Sequence, residues 1–164
     1  MIEVHILTAD DWFRWREMRL ASLAEAPYAF KSKLADWQGD RDQEDRWRAR
    51  LGGPGSCSLL AELDGESAGI AAGIPGPRSG VVELVSMWVR REARGHGVGD
   101  RLVRALEQWA VQQQAHTLQL SVVPGNVHAL ALYRRHDFED TGQPGGPLPD
   151  GGTEVVLAKQ LPTL

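Results

Sequence analysis

One cysteine, Cys57, is the whole thiol content of the chain, so no internal disulfide can staple it. It sits in the apolar run Cys57-Ser-Leu-Leu-Ala, which reads as a buried strand with the thiol as core filling rather than a nucleophile. No stretch of roughly 18 uninterrupted apolar residues occurs, as a membrane-spanning helix would need. The opening Met1-Ile-Glu-Val-His-Ile-Leu alternates and carries early charge, unlike a secretory signal, so the expected setting is the cytoplasm with no membrane partner. Lysine is scarce. With 18 basic residues, nearly all arginine, against 22 acidic ones, the net charge is -4 and a general nucleic-acid footprint is missing. That mild acidity would suit a cationic amine as substrate. The five histidines are scattered without metal-ligand spacing, so no metal is expected.

What is present fits one compact domain over residues 1–164. Ile2, Val4 and Ile6 alternate with Glu3 and His5, the period of a half-buried strand. Thr8 and Asp11 then cap a helix through Trp12, Trp15, Met18 and Leu23, and residues 42–51 suggest another, with Trp37 and Trp47 as packing residues. Two apolar runs, residues 57–63 and 68–72, flank Asp64-Gly65-Glu66, a strong hairpin signal, and residues 81–89 form a further strand. Leu102, Val103, Leu106, Trp109 and Ala110 recur at helical spacing before a strand over residues 117–123, which predicts a parallel pairing. Asn126 caps a short helix through Tyr133. Residues 138–141 and 154–160 read as a closing antiparallel pair around a long Gly/Pro loop, residues 142–152.

Between the strand at 81–89 and the helix after it lies Arg94-Gly95-His96-Gly97-Val98-Gly99. Glycines there allow positive φ and close ligand approach, while the first helical turn offers unpaired N–H groups and partial positive charge, a combination that binds phosphate. Arg90, Arg91, Arg94, Arg101 and Arg104 crowd the same region, either as solvated surface arginines or as a call for an anion. The loop lacks the Gly-Lys-Ser/Thr ending of nucleoside-triphosphate loops and the glycine spacing of the dinucleotide fingerprint.

Arg94-x-x-Gly97-x-Gly99 resembles the pyrophosphate-binding motif of the GNAT superfamily of acyl-CoA N-acyltransferases. Residues 82–89 look like the strand before that motif, and Asn126-Val-His-Ala129-Leu-Ala-Leu-Tyr133 looks like the segment after the next strand. Arg16-x-x-Arg19-Leu20 with Pro27-Tyr-Ala-Phe30 extends the resemblance upstream. One departure is Asp137-Phe138 where the family has Gly-Phe, and Asp tolerates the left-handed turn needed.

The resemblance implies an α/β (α+β) fold: a mixed, mostly antiparallel twisted sheet of six or seven strands, a V-shaped splay between two parallel central strands, and helices on both faces. It implies acetyl-CoA as acyl donor, its diphosphate on the amides of Arg94, Gly95, His96, Gly97, Val98, Gly99 and Asp100. The pantetheine would pair along Met87, Trp88 and Val89, with Asn126 as a further contact. An amine must lose a proton before it attacks. Glu83 is the candidate base, with a solvent-facing strand residue as the plain alternative; Tyr133 is the candidate acid toward the leaving thiolate, with core packing as its alternative. Tyr28, Phe30 and Ser32, with loop 142–152, would border a small-molecule amine, protein or peptide amines being the other option. A non-catalytic acyl-CoA-sensing module of the same fold is the competing reading, and the resemblance leaves room for a homodimer.

Overall fold

The computed structural model describes residues 1–25 and 33–163. The alternating start forms β1 (Ile2–Leu7), and the Thr8 amide then donates to the Asp11 carboxylate at 2.8 Å, opening a 3-10 turn that runs into α1 (Trp12–Glu25). α2 (Glu44–Leu51) begins with two acidic residues and ends with arginines, the charge order a helix dipole favours. A meander follows: β2 (Cys57–Leu63), β3 (Glu66–Pro75) and β4 (Val81–Val89). Asp64 and Gly65 join β2 to β3 with φ of 51° and 88°, positive at both positions as a two-residue hairpin turn requires. Then come α3 (Val98–Gln112), β5 (Thr117–Val122), α4 (Val127–Arg135), β6 (Glu139–Pro147) and β7 (Thr153–Gln160).

The strands form one sheet in the order β1-β2-β3-β4-β5-β7-β6, antiparallel except for β4 beside β5. Alternation along the strands divides the core between two faces. Leu59, Ala61, Leu84 and Leu118 pack with Leu102, Leu106 and Ala110 of α3. Leu60, Ile70, Ala72 and Trp88 pack with Trp15 and Met18 of α1 and Trp47 and Leu51 of α2. Close seating of α3 depends on Gly73, where a Cβ would lie 2.9 Å from Leu106 Cδ1. Leu106 is fully buried, so its truncation to Ala would cost about 2–5 kcal/mol. Cys57 is 3% exposed in the α3-side core, and burial pushes its thiol up to about 11, which leaves it inert as the sequence suggested. Among the described residues no helix is long and apolar enough to cross a membrane.

Two features depart from the sequence reading. Much of the expected Gly/Pro loop 142–152 is strand: β6 reaches Pro147, and only residues 148–152 turn, closed by Leu148 N–H to Gly152 O at 2.8 Å. Prolines are tolerated because β6 is an edge strand with one partner, and its register to β7 is broken near Pro144. The second feature is a bulge in β4. Between the pairs Ala72↔Val85 and Ile70↔Trp88, β4 spends one residue more than β3, and Ser86 takes φ of 60°.

Candidate active site

β4 and β5 pair only at Val81↔Thr117, Val82↔Leu118 and Glu83↔Gln119, and beyond these the two strands part. The bulge explains the parting, since an extra residue bends its strand away from its neighbour. It also sets which backbone groups face the gap. Arg90 N–H donates to Ala68 O of β3 at 2.7 Å, so alternation turns the Trp88 amide toward β3 and the Met87 and Val89 amides toward the gap. Trp88, expected at the same open edge, is thus turned away, with its ring in the α1/α2-side core.

A cavity of about 500 Å³ opens through the gap. Among the described residues that line it are Trp15 and Arg19 of α1, Trp37, Trp47 and Arg50 of α2, Glu83, Val85, Ser86 and Met87 of β4, Ser121 and Val122 of β5, Asn126, Ala129 and Tyr133 of α4 and its cap, and Glu154 of β7. Before the bulge, Val82 and Leu84 point to α3, so Glu83 and Val85 point to the α1/α2 face. Glu83 therefore stands, half-buried, at the last paired position before the strands diverge, and not in open solvent.

At the other end of β4 the glycine loop enters α3. The first intrahelical bond runs from Arg101 N–H to Gly97 O at 3.1 Å, and among the described residues the amides of Gly95 to Asp100 have no backbone carbonyl partner. Gly97 forms the N-cap with φ of 85°, a conformation costing most other residues about 1–2 kcal/mol. A Cβ on Gly95 or Gly97 would meet nothing within 4 Å, so both backbones face open space. The arrangement is a row of free donors at a helix N-terminus, suited to a diphosphate.

Arg94, first of the motif, is used otherwise. Its amide donates to Arg91 O at 3.2 Å, its Nε donates to Val89 O at 3.0 Å, and its guanidinium pairs with Glu25 of α1, so the free row starts at Gly95. The Asp100 carboxylate accepts from His136 (2.8 Å) and from Arg135, both at the end of α4. Partial burial would raise its pKa, but those hydrogen bonds prevail and hold it below the usual carboxylate range. The loop helix and the tyrosine helix are thereby tied together.

Tyr133 is fixed from two sides. Phe138 N–H donates to Tyr133 O and Asp137 N–H to Arg134 O, both at 3.1 Å, with Asp137 at φ of 68°: a Schellman turn in which aspartate fills the glycine position. The Phe138 ring packs edge-on against Tyr133 at 5.7 Å. Tyr133 borders the cavity, and burial pushes its phenol above the ordinary pKa, so it stays protonated throughout the neutral range. Asn126 Oδ1 accepts from Ala129 N–H at 3.3 Å, the helix cap read from sequence, and the residue also borders the cavity.

The acceptor-side wall was only partly foreseen. Tyr28, Phe30 and Ser32 lie outside the described residues. Residues 142–152 contribute nothing to the lining; Glu154, one turn later on β7, does. Arg19 and Arg50 were not expected there, and an arginine near the end of each of two adjacent helices is too common a pattern to signal a site. Trp37 and Trp47 stack at 4.3 Å and serve as both packing and wall. Away from the cavity, Glu3, His5 and Glu62 bring potential metal-ligand atoms within 4.8 Å of one another on β1 and β2, a grouping that strand pairing creates and sequence spacing did not show. Arg14 also reaches Glu62, at 3.4 Å.

A row of unpaired amides at a helix N-terminus, beside an unpaired strand edge and a cavity, is an arrangement suited to an extended, diphosphate-bearing ligand. The model of the acetyltransferase (GNAT) family matches residues 15–138, and the chain belongs to that family. It is 35% identical over 99 residues to the L-methionine sulfoximine/L-methionine sulfone acetyltransferase of Pseudomonas aeruginosa, covering 58% of this chain and 56% of that protein. The alignment thus spans little more than half of that relative. In fold it is similar to a GNAT acetyltransferase of Streptococcus pneumoniae (TM-score 0.76, 19% identity, 99% of this chain and 100% of that one). A Salmonella typhimurium acetyltransferase solved with its cofactor acetyl-CoA is also similar in fold (TM-score 0.75, 19% identity, 100% of this chain and 96% of that one).

Proposed function

We propose that the protein transfers the acetyl group of acetyl-CoA to the primary amine of a small molecule, by direct attack while both substrates are bound. The observation that carries this reading is the placement of Glu83, Met87 and Tyr133 on one cavity along the unpaired part of β4, the strand whose end leads into the free amides of Gly95 to Asp100. Those amides would hold the diphosphate. Met87 and Val89 would pair with the pantetheine as a neighbouring strand would, and the Val89 amide would face the thioester carbonyl and stabilise negative charge on its oxygen. Enclosure of the cavity by α1 and α2 favours a small acceptor over a protein chain, and the Pseudomonas relative is named for small amino-acid analogues.

An alkyl amine of pKa near 10 enters mostly protonated. Glu83, directly or through water, takes that proton, and the neutral nitrogen attacks the thioester carbon from the α1/α2 side. As the C–S bond breaks, the buried Tyr133 hydroxyl donates to the departing sulfur. Desolvation raises the phenol and the thiolate alike, so the two remain matched for proton transfer. The reading takes the chain to work in the cytoplasm, as one domain without metal, membrane or nucleic-acid partner.

The test is thiol release from acetyl-CoA against a broad amine panel, together with calorimetric binding of acetyl-CoA. Binding with thiol release supports transfer. Binding without release from any amine would instead make the protein an acyl-CoA-sensing module.

A further inference from the structure

The wall of the cavity carries charges besides Glu83 that the transfer chemistry does not use. Arg19 of α1 is 8% exposed, its guanidinium reaching Ser22 Oγ at 3.4 Å. Arg50 of α2 is half-buried, its Cζ 5.5 Å from the centre of the Trp15 ring, and among the described residues it makes no hydrogen bond or ion pair with a carboxylate. Both line the cavity. On the strand side stand two carboxylates, Glu83 of β4 and Glu154 of β7, the latter 9% exposed and also without an ion pair among the described residues. Positive charge therefore gathers on the helical wall and negative charge on the strand wall of one small space.

Two guanidiniums sharing a poorly solvated wall repel each other. Burial, and then the charge of Arg50, pull Arg19 down to about 10, and burial lowers Arg50 as well. An anion at Arg50 would offset the burial of its guanidinium, and the planar fork of arginine matches a carboxylate in particular. A polycation, which the overall net charge of -4 would have suited, meets the wrong sign here. Resting on the acetyl-transfer reading above, we infer that the acceptor is a primary amine carrying its own carboxylate, of the free amino acid class, with the carboxylate held by Arg50 and Arg19 and the amine turned toward Glu83.

The experiment measures kcat/KM by thiol release for L-amino acids, their carboxamides, the matching decarboxylated amines and spermidine. It uses the wild-type chain and the variants Arg50→Gln and Arg50→Lys. Loss of one charge-assisted carboxylate contact corresponds to about 10- to 100-fold. The wild type should favour an acid over its amide by at least about 10-fold, and Arg50→Gln should shrink that ratio, mainly through KM, with acetyl-CoA binding kept. Arg50→Lys, which keeps charge but loses the fork, should fall between. Amides, amines or spermidine used as well as the acids would overturn this inference and leave acetyl transfer standing. Should Arg50→Gln not fold, the wild-type ratio and Arg50→Lys decide alone. No thiol release from any amine, with acetyl-CoA still bound, would remove the transfer reading first and this inference with it.

Discussion

Asp42 joins the two helices that wall the cavity. Its carboxylate accepts from Arg16 of α1 through both oxygens, with Nε at 2.8 Å, and from the Trp47 indole N–H of α2 at 2.7 Å. The hydrogen bonds from Arg16 and then Trp47 hold its pKa at about 2, down from an ordinary 3.8. At full value that displacement is worth about 2.5 kcal/mol. The Arg16 side chain is 37% exposed, and solvent screening brings the expected contribution to about 1–2 kcal/mol. Asp42→Asn keeps the shape and removes the charge, so it should lower Tm at neutral pH by about 2–8 °C. Because the folded value lies below the unfolded one, the carboxylate stabilises fully above about pH 4, and its contribution disappears as pH falls toward 2. Paired thermal melts of wild type and Asp42→Asn from pH 7 to pH 2 measure this. Equal stability at pH 7, or a gap that stays constant down to pH 2, would refute the argument that this ion pair clamps α1 to α2.

Three further substitutions probe the site. Glu83→Gln should lower kcat/KM by about 100-fold, most strongly near neutral pH where the amine is protonated; an unchanged pH profile would move the base elsewhere. Tyr133→Phe should lower kcat by about 100-fold with little change in acetyl-CoA affinity, and an equal loss of affinity would mean the phenol acts by packing alone. Gly97→Val, forced into a left-handed N-cap, should weaken acetyl-CoA binding at least about 10-fold by calorimetry; retained affinity would remove the loop from the binding site.

Local chemistry was legible and long-range assembly was not. The Asp64-Gly65 turn, the glycine loop, the helical spacing of α3 and the left-handed Asp137 each depend on a few adjacent residues, and the structure has all of them. β6 escaped because Gly142, Pro144, Gly145 and Pro147 carry low strand propensity, and only pairing to β7 at the sheet edge makes them a strand. Arg94 was read through its motif, whereas its partner Glu25 lies 69 residues earlier in the chain. Arg19 and Arg50 are 31 positions apart on different helices, and only the packing of α1 against α2 and the sheet brings them to one wall.

Nothing in Val81-Val-Glu-Leu-Val-Ser-Met-Trp-Val89 marks Ser86 as a bulge, yet the site depends on it. Up to Val85 the strand presents Glu83 to the α1/α2 face, where it lines the cavity. With regular alternation, Trp88 rather than Met87 and Val89 would turn its backbone donor toward β5, and the strands could go on pairing until no gap remained. One extra residue reverses both side-chain face and amide direction, and the accompanying bend separates the strands. The Glu83 carboxylate on one face and the free amides along the opened edge are therefore consequences of the same local distortion. The positive φ at Ser86, a conformation serine adopts at a cost, marks where β4 carries the strain of that bulge.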